Sequence, residues 1–308
     1  MIFLEKIQWD RRDLRLREPW KVGTATVETR AIISLYVTIS GETYYSEIAP
    51  LPGLHTETIE EAQHQLSLLS SELTERPISK TYFPNQPLLG LFPWRQPLLP
   101  SVQCGLELAL WQGVCKPPRA NPTNCTAIYS HNLDINGIKA IKWKIRGHPD
   151  GYISEIHRFL SNHPHIKLRL DGNRSLNSRD LEDLCVALSP IAQSIDYIEE
   201  PCQNGSDVTQ LFNSINIPVA VDESLWLGGP LVARAQVLIL KPSRLGGISP
   251  IFHLLKQHPE KRFVFSHCFE SPMMAPIVQS FVDTLAPKEH HGIYTKSYFL
   301  REAPHDIF

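Results

Sequence analysis

From about residue 126 onward the chain repeats one grammar: a short apolar run, an amphipathic stretch, then another apolar run. The runs are Ala127-Ile128-Tyr129, Ala140 to Ile145, Ile166 to Leu170, Ile195 to Ile198, Val219 to Val221, Val237 to Leu240 and Phe263 to Phe265. Each has strand length, and most are bounded by turn or helix signals. Between them, sets such as Ile153, Ile156, Phe159, Leu160 and Leu181, Leu184, Ala187, Leu188 recur at helical spacing. Strands and helices alternating this regularly form parallel βα units, and so many in succession favour a closed α/β barrel over an open doubly wound sheet.

The preceding residues read differently. Ile33, Leu35, Val37 and Ile39 alternate with polar neighbours, Ser40-Gly41-Glu42-Thr43 supplies a turn, and Tyr44 to Ile48 returns, so residues 1 to about 55 are expected to be antiparallel sheet. Ala49 to Gly53 is an ordered loop because its prolines remove ladder donors. Thr58 followed by Glu61 forms a capping box for a helix whose face is Ile59, Ala62, Leu66, Leu69 and Leu73. Residues 77–100 are a proline-rich linker packed on the surface, and a helix through Val102, Leu106, Ala109 and Leu110 follows.

With 308 residues, 42% of them hydrophobic, and a net charge of −2, the chain has neither the basic stripe of a nucleic-acid protein nor a polybasic membrane-surface tail. A small molecule is the expected partner. No apolar run approaches a membrane span, and the cytoplasm is the expected compartment. The six cysteines form no CxxC pair and read as reduced thiols, and His163-Pro164-His165 is a weak metal motif.

Polar residues collect where the apolar runs end. The second run carries Lys142 and Lys144, which a period of two places on one face; the third ends in Asp171-Gly172-Asn173, the fourth in Glu199-Glu200-Pro201, the fifth in Asp222-Glu223 and the sixth in Lys241-Pro242. Alone, each has a plain reading as a solvated face, a loop or a helix cap. On successive barrel strands they would converge at the C-terminal mouth, where barrel enzymes hold their chemistry. Asp171, Glu199 and Asp222 would repel one another without a cation between them, and an all-oxygen set suits Mg2+ or, in its place, Mn2+. A metal with opposed lysines, Lys144 and Lys241, fits proton abstraction beside a carboxylate. Lys142 and the dication would both lower the pKa of Lys144.

In this order, KxK, DxN, EEP, DES and KP, the chain resembles the enolase superfamily, muconate-cycloisomerase-like subgroup. Local matches include Glu47 to Gly53, Arg169 to Arg174, Ile198 to Cys202, Asp222 to Leu225, Leu240 to Pro242 and Ser266 through Ser271. The resemblance implies a (β/α)7β TIM-like barrel over 99–287 and an α+β capping domain over 1–98, rejoined by 288–308. Loops near Pro19-Trp20 and Pro50 to Gly53 would close over the barrel. It implies Lys144 as the base and Lys241 as the cation facing it. Asp171, Glu199 and Asp222 would be the metal ligands, with the first glutamate of EEP chosen by the family pattern. Lys142, Arg169, Asn173 and Ser266 would bind substrate or tune Lys144.

Among activities in the family, the nearest match is the syn dehydration of 2-succinyl-6-hydroxy-2,4-cyclohexadiene-1-carboxylate to o-succinylbenzoate, a step of menaquinone and phylloquinone biosynthesis. Racemisation or epimerisation of N-acylamino acids or dipeptides uses the same two lysines. From other classes come a non-catalytic barrel that binds a ligand and a zinc hydrolase built on His131. Two departures from the family pattern lie at the substrate end. His267-Cys268 stand where small polar residues are usual, with His267 reading as a hydrogen-bonded wall residue, and Gly292 to Thr295 lacks an acidic residue.

Overall fold

The structure is a computed structural model that describes residues 2–22, 25–73, 76–78, 97–117, 120, 126–129, 135–205, 208–209, 216–228, 230–286, 288–293 and 298–300. Most of the proline-rich linker, Cys125, His131 and Thr295 lie outside them.

Strands β1 (Ile2–Val22), β2 (Ala25–Ile39), β3 (Glu42–Ile48) and β4 (Arg76–Ile78) form an antiparallel sheet in the order β3-β2-β1-β4. The β2–β3 hairpin turns on Ser40 and Gly41, both with positive φ (50° and 82°), the backbone that matches strand twist in a two-residue loop. Helix α1 (Ile59–Leu73) starts on the capping box: the Thr58 N–H donates to Glu61 Oε2 at 2.8 Å and the Glu61 N–H to Thr58 Oγ1 at 3.2 Å. Helix α2 (Pro100–Cys115) is apolar on two sides. Val102, Leu106, Ala109 and Leu110 pack with Ile33, Leu35 and Leu66 beneath the antiparallel sheet. Cys104, Leu108 and Trp111 turn the other way, into the core of the parallel sheet. The helix is therefore the shared wall between the two halves.

Seven parallel strands follow in chain order: β5 (Thr126–Ile128), β6 (Ala140–Lys144), β7 (Lys167–Asp171), β8 (Ile195–Glu199), β9 (Val219–Val221), β10 (Val237–Leu240) and β11 (Arg262–Phe265). Outside them lie α3 (Ile153–Asn162), α4 (Ser178–Leu188), α5 (Ser224–Leu227), α6 (Pro230–Arg234), α7 (Pro242–Leu245), α8 (Ile248–Gln257) and α9 (Ala275–Asp283). Among the described residues no helix stands between β5 and β6. The sheet curls until both edges meet one segment. The Thr126 N–H donates to His291 O at 2.9 Å and the Gly292 N–H to Phe265 O at 2.8 Å.

Alternation then sorts the side chains. Outward residues such as Ile141, Leu168, Leu170, Ile198 and Leu238 join the core with Ile156, Leu160, Leu181 and Leu184 of α3 and α4. Tyr197, Ala220, Val237, Ile239 and Val264 form a separate apolar cluster on the inner face. Two residues beyond Tyr197, Ala220 and Ile239 come Glu199, Asp222 and Lys241, so the period of two sets the polar residues directly above this layer. The segment near the end returns to the first sheet, with Leu16 bridged to Phe299 and the Leu300 N–H donating to Arg15 O at 3.1 Å. No described helix is long and apolar enough to cross a membrane.

Candidate active site

The β6–β7 register pairs Lys142 with Arg169 and Lys144 with Asp171, and β8 continues the rows with Tyr197 and Glu199. Lys142 Nζ lies 2.8 Å from Asp171 Oδ2 and 2.9 Å from both Glu199 oxygens. Lys241, just past the end of β10, is ion-paired with Asp222. Lys144, at the mouth, has no hydrogen bond or ion pair among the described residues, and its Nζ stands 5.7 Å from the ring centroid of Trp20. One lysine thus has a free amine while two are held by carboxylates.

The electrostatics follow. Burial, then the repulsion of Asp171 and Asp222, pushes Glu199 up to about 8 against the opposing pull of Lys142. Burial pulls Lys142 down, but Glu199 and Asp171 outweigh it and hold the ammonium well above its usual range. Lys241 is likewise raised, since Asp222 overcomes burial. Lys144 moves the other way. Desolvation lowers it first, and Lys142 and Arg146 add to the shift while Asp171 opposes. The Lys142 contribution is the one expected from the KxK spacing, although desolvation is larger.

The donor chemistry fits a hard cation. Asp171, Glu199 and Asp222 offer oxygens only, and Asp222 Oδ1 is buried without a partner. Among the described residues no three Asp, Glu, His or Cys side chains are gathered closely enough to hold an ion as they stand. Lys142 and Lys241 occupy the carboxylate oxygens instead.

Neighbouring residues keep these carboxylates in place. Glu200 leaves the inner face with φ 38°, accepts from the Asp222 and Ser224 N–H groups at 2.9 and 2.7 Å and from Ser224 Oγ at 2.8 Å, and so supports the turn into α5. Of the Glu199-Glu200 pair, only Glu199 meets Lys142. At Gly172 a Cβ would fall 2.7 Å from Pro201 Cα, so glycine is what lets the ends of β7 and β8 approach. Asn173 contributes its backbone, the N–H donating to Asp171 Oδ1 at 3.0 Å, while its side chain is exposed. Ser266 is half-buried beside the cleft lined by His267, Ser243 and Glu270, and is bridged to Gly292.

Arg169 lies one row below Lys144, 2% exposed, with Nε 2.8 Å from Asp196 Oδ2 and NH1 donating to Thr126 Oγ1 at 2.8 Å and to His290 O. Arg169 fastens β7 to the segment that joins the sheet edges. The inward row contains both layers, and alternation alone does not separate them.

The ties between the two halves are absent from the sequence reading. Arg30 is 1% exposed and, among the described residues, donates only to backbone carbonyls: Ala31, Ala49 and Pro50 on its own side, Cys268 and Phe269 on the other. Glu47 accepts from the Ser271 N–H at 2.9 Å and from the hydroxyls of Ser271 and Tyr45. Arg30 shares the buried parity of Ile32, and an arginine at that parity was the available signal. Above the lysines, Trp20 packs edge-on to Phe269 and Tyr298, with centroids 4.4 and 4.7 Å away, and forms a roof.

Residues 130–258 match the enolase C-terminal domain-like family. An o-succinylbenzoate synthase of Yersinia enterocolitica is 27% identical over 273 residues, covering 83% of this chain and 79% of that protein. The crystal structure of o-succinylbenzoate synthase from Thermosynechococcus elongatus BP-1, complexed with Mg in its active site, superposes with a TM-score of 0.78 at 22% identity, over 97% of this chain and 95% of the other. The L-Ala-D/L-Glu epimerase of Bacillus subtilis, in a substrate-liganded complex, superposes with a TM-score of 0.74 at 15% identity, over 97% and 92%. Residues 130–258 of this chain thus resemble the enolase C-terminal domain-like family in sequence, and the chain shares its fold with these enzymes.

Proposed function

We propose that the chain is an o-succinylbenzoate synthase, a hydro-lyase that converts 2-succinyl-6-hydroxy-2,4-cyclohexadiene-1-carboxylate to o-succinylbenzoate in menaquinone and phylloquinone biosynthesis. The observation that carries the reading is the asymmetry of the lysines. Lys144 is a free amine with a lowered pKa at the mouth, while Lys241, four strands along the sheet, is paired with Asp222 and held protonated. That suits one base and one fixed cation. The curated relatives with this name support the substrate.

Asp171, Glu199 and Asp222 would hold Mg2+, which when bound supplies positive charge to the substrate carboxylate as its neighbouring C–H acidifies. Lys144 takes the proton from C1 of the ring, and the same ammonium then returns a proton to the hydroxyl leaving C6. One C–H and one C–O bond break, a C1–C6 double bond forms, and water departs. Lys241 stabilises negative charge from the opposite side, and Trp20, Phe269 and Tyr298 exclude water above. We also read the parallel sheet as a (β/α)7β barrel completed by His291-Gly292. The cap's returning segment then begins after residue 292 rather than at 288. Support comes from the bonds of 291–292 to both edge strands and the bridge of Phe299 to Leu16.

The test follows the ultraviolet change on aromatisation with purified protein and the cyclohexadiene substrate. Activity is expected with Mg2+, loss with EDTA, and a fall of about 10²- to 10⁴-fold in Lys144→Ala, the usual contribution of a positioned base. Full dehydration by Lys144→Ala overturns the assignment. Exchange of the substrate α-proton on both faces, in dipeptides or N-acylamino acids, would instead identify a two-base epimerase.

A further inference from the structure

The mechanism above leaves His267 unused, although its ring packs on Phe269 and Tyr298, the residues of the roof over Lys144. Its Nδ1 accepts the Phe269 N–H at 3.1 Å, so the proton of the neutral ring resides on Nε2. Nε2 has no partner among the described residues, and His267 borders a small cleft with Ser266 and Ser243 beside the lysines and carboxylates of the site. The imidazole is framed by Phe269 and Tyr298, with centroids 4.6 and 5.5 Å away, the two rings that also hold Trp20 over Lys144. Phe269 adopts φ 58° to complete this frame, a backbone region unfavourable to a bulky L-residue and met chiefly where function over-determines the loop. Burial, with Lys241, Lys142 and Lys144 behind it, pushes His267 down to about 3, so the ring is uncharged at neutral pH.

We infer that His267 is a specificity-determining residue whose Nε2–H donates a hydrogen bond to an uncharged carbonyl oxygen on the substrate's side chain. The inference rests on the proposed dehydratase reading. A single neutral donor inside an aromatic frame does not compensate the desolvation of a carboxylate, but it matches a ketone. The lysines already provide for the anionic end. In the proposed substrate the one uncharged carbonyl is the ketone of the succinyl arm, attached to the ring carbon next to the one that loses its proton. Because that ketone remains in the product, the contact contributes to binding in substrate and product alike.

Two ligands isolate this contact: o-succinylbenzoate, and 2-(3-carboxypropyl)benzoate, in which a methylene replaces the ketone. Calorimetric titration of the Mg2+-loaded wild type is expected to favour the ketone about three- to tenfold, the range of one neutral hydrogen bond. His267→Phe, which keeps a ring but no donor, is expected to bind both equally, and His267→Gln to retain part of the preference. His267→Leu carries the same test if Phe does not fit the frame. An unchanged preference in the donor-less variants overturns the inference. A wild type that turns over the diene but shows no preference overturns His267 alone, whereas one that neither turns over the diene nor binds either acid overturns the dehydratase reading with it.

Discussion

Glu199 lies among Lys142, Asp171 and Asp222, whereas Glu200, one residue on, turns out of the inner face and holds the Asp222 and Ser224 amides. Substituting each separates the proposed ligand from a brace. Glu199→Gln is expected to abolish turnover and weaken Mg2+ binding in calorimetry. Glu200→Gln should retain Mg2+ binding but lose about 1–3 kcal/mol in urea unfolding, the cost of leaving buried partners unsatisfied. Lys144 yields a pH prediction. Its folded-state pKa lies below the ordinary 10.5, so kcat/KM should rise with pH as the amine deprotonates, with a midpoint below 10.5. A midpoint at or above that value would exclude Lys144 as the titrating base.

At the scale of elements, the site depends on how closely strand ends approach. Gly172 brings the end of β7 against Pro201 and the Glu200 carbonyl, where an added Cβ would meet atoms at 2.7 and 2.9 Å. Those atoms are backbone and do not swing aside. Gly172→Ala is expected to cost about 1–3 kcal/mol as an overpacked site and to lower kcat by separating Asp171 from Glu199. Unfolding and steady-state kinetics on the same preparation test both. Strands β5 to β11 lie within a residue or so of where alternation and apolar runs put them, and α1 starts at its capping box. These elements were legible because periodicity and caps are local. The short helices α5, α6 and α7 carry too few residues for a period to show.

Across the whole molecule, Arg30 and Glu47 join the antiparallel half to the loop after β11, and His291 sits in the segment between the sheet edges. Arg30→Met would orphan buried carbonyls on both sides, and a loss of about 2–4 kcal/mol is expected in chemical denaturation. His291 is fully buried, its Nδ1 accepting the Phe265 N–H at 3.1 Å, and burial lowers it to about 4. In the unfolded chain it titrates near the ordinary 6.5, so below that pH the unfolded state binds more protons and stability falls. Between pH 7 and 5 the His291 contribution should shrink by about 2 kcal/mol. The difference in unfolding free energy between wild type and His291→Asn measures it.

The sequence by itself determined which residues lie on the inner face, because a strand alternates with period two and each polar residue is counted from its own apolar run. It also placed Lys144, Asp171, Glu199, Asp222 and Lys241 at strand ends, with Lys142 on the face of Lys144. Depth along the strands and pairing between distant segments were decided by the tertiary structure. Arg169 shares its parity with Asp171 but lies one row lower, where Asp196, Thr126 and the His290 carbonyl take its donors. Arg30 finds carbonyls more than two hundred residues away, and His267 is kept neutral by burial first and then by three lysines on other strands. Such properties arise from desolvation and proximity, which no local pattern encodes.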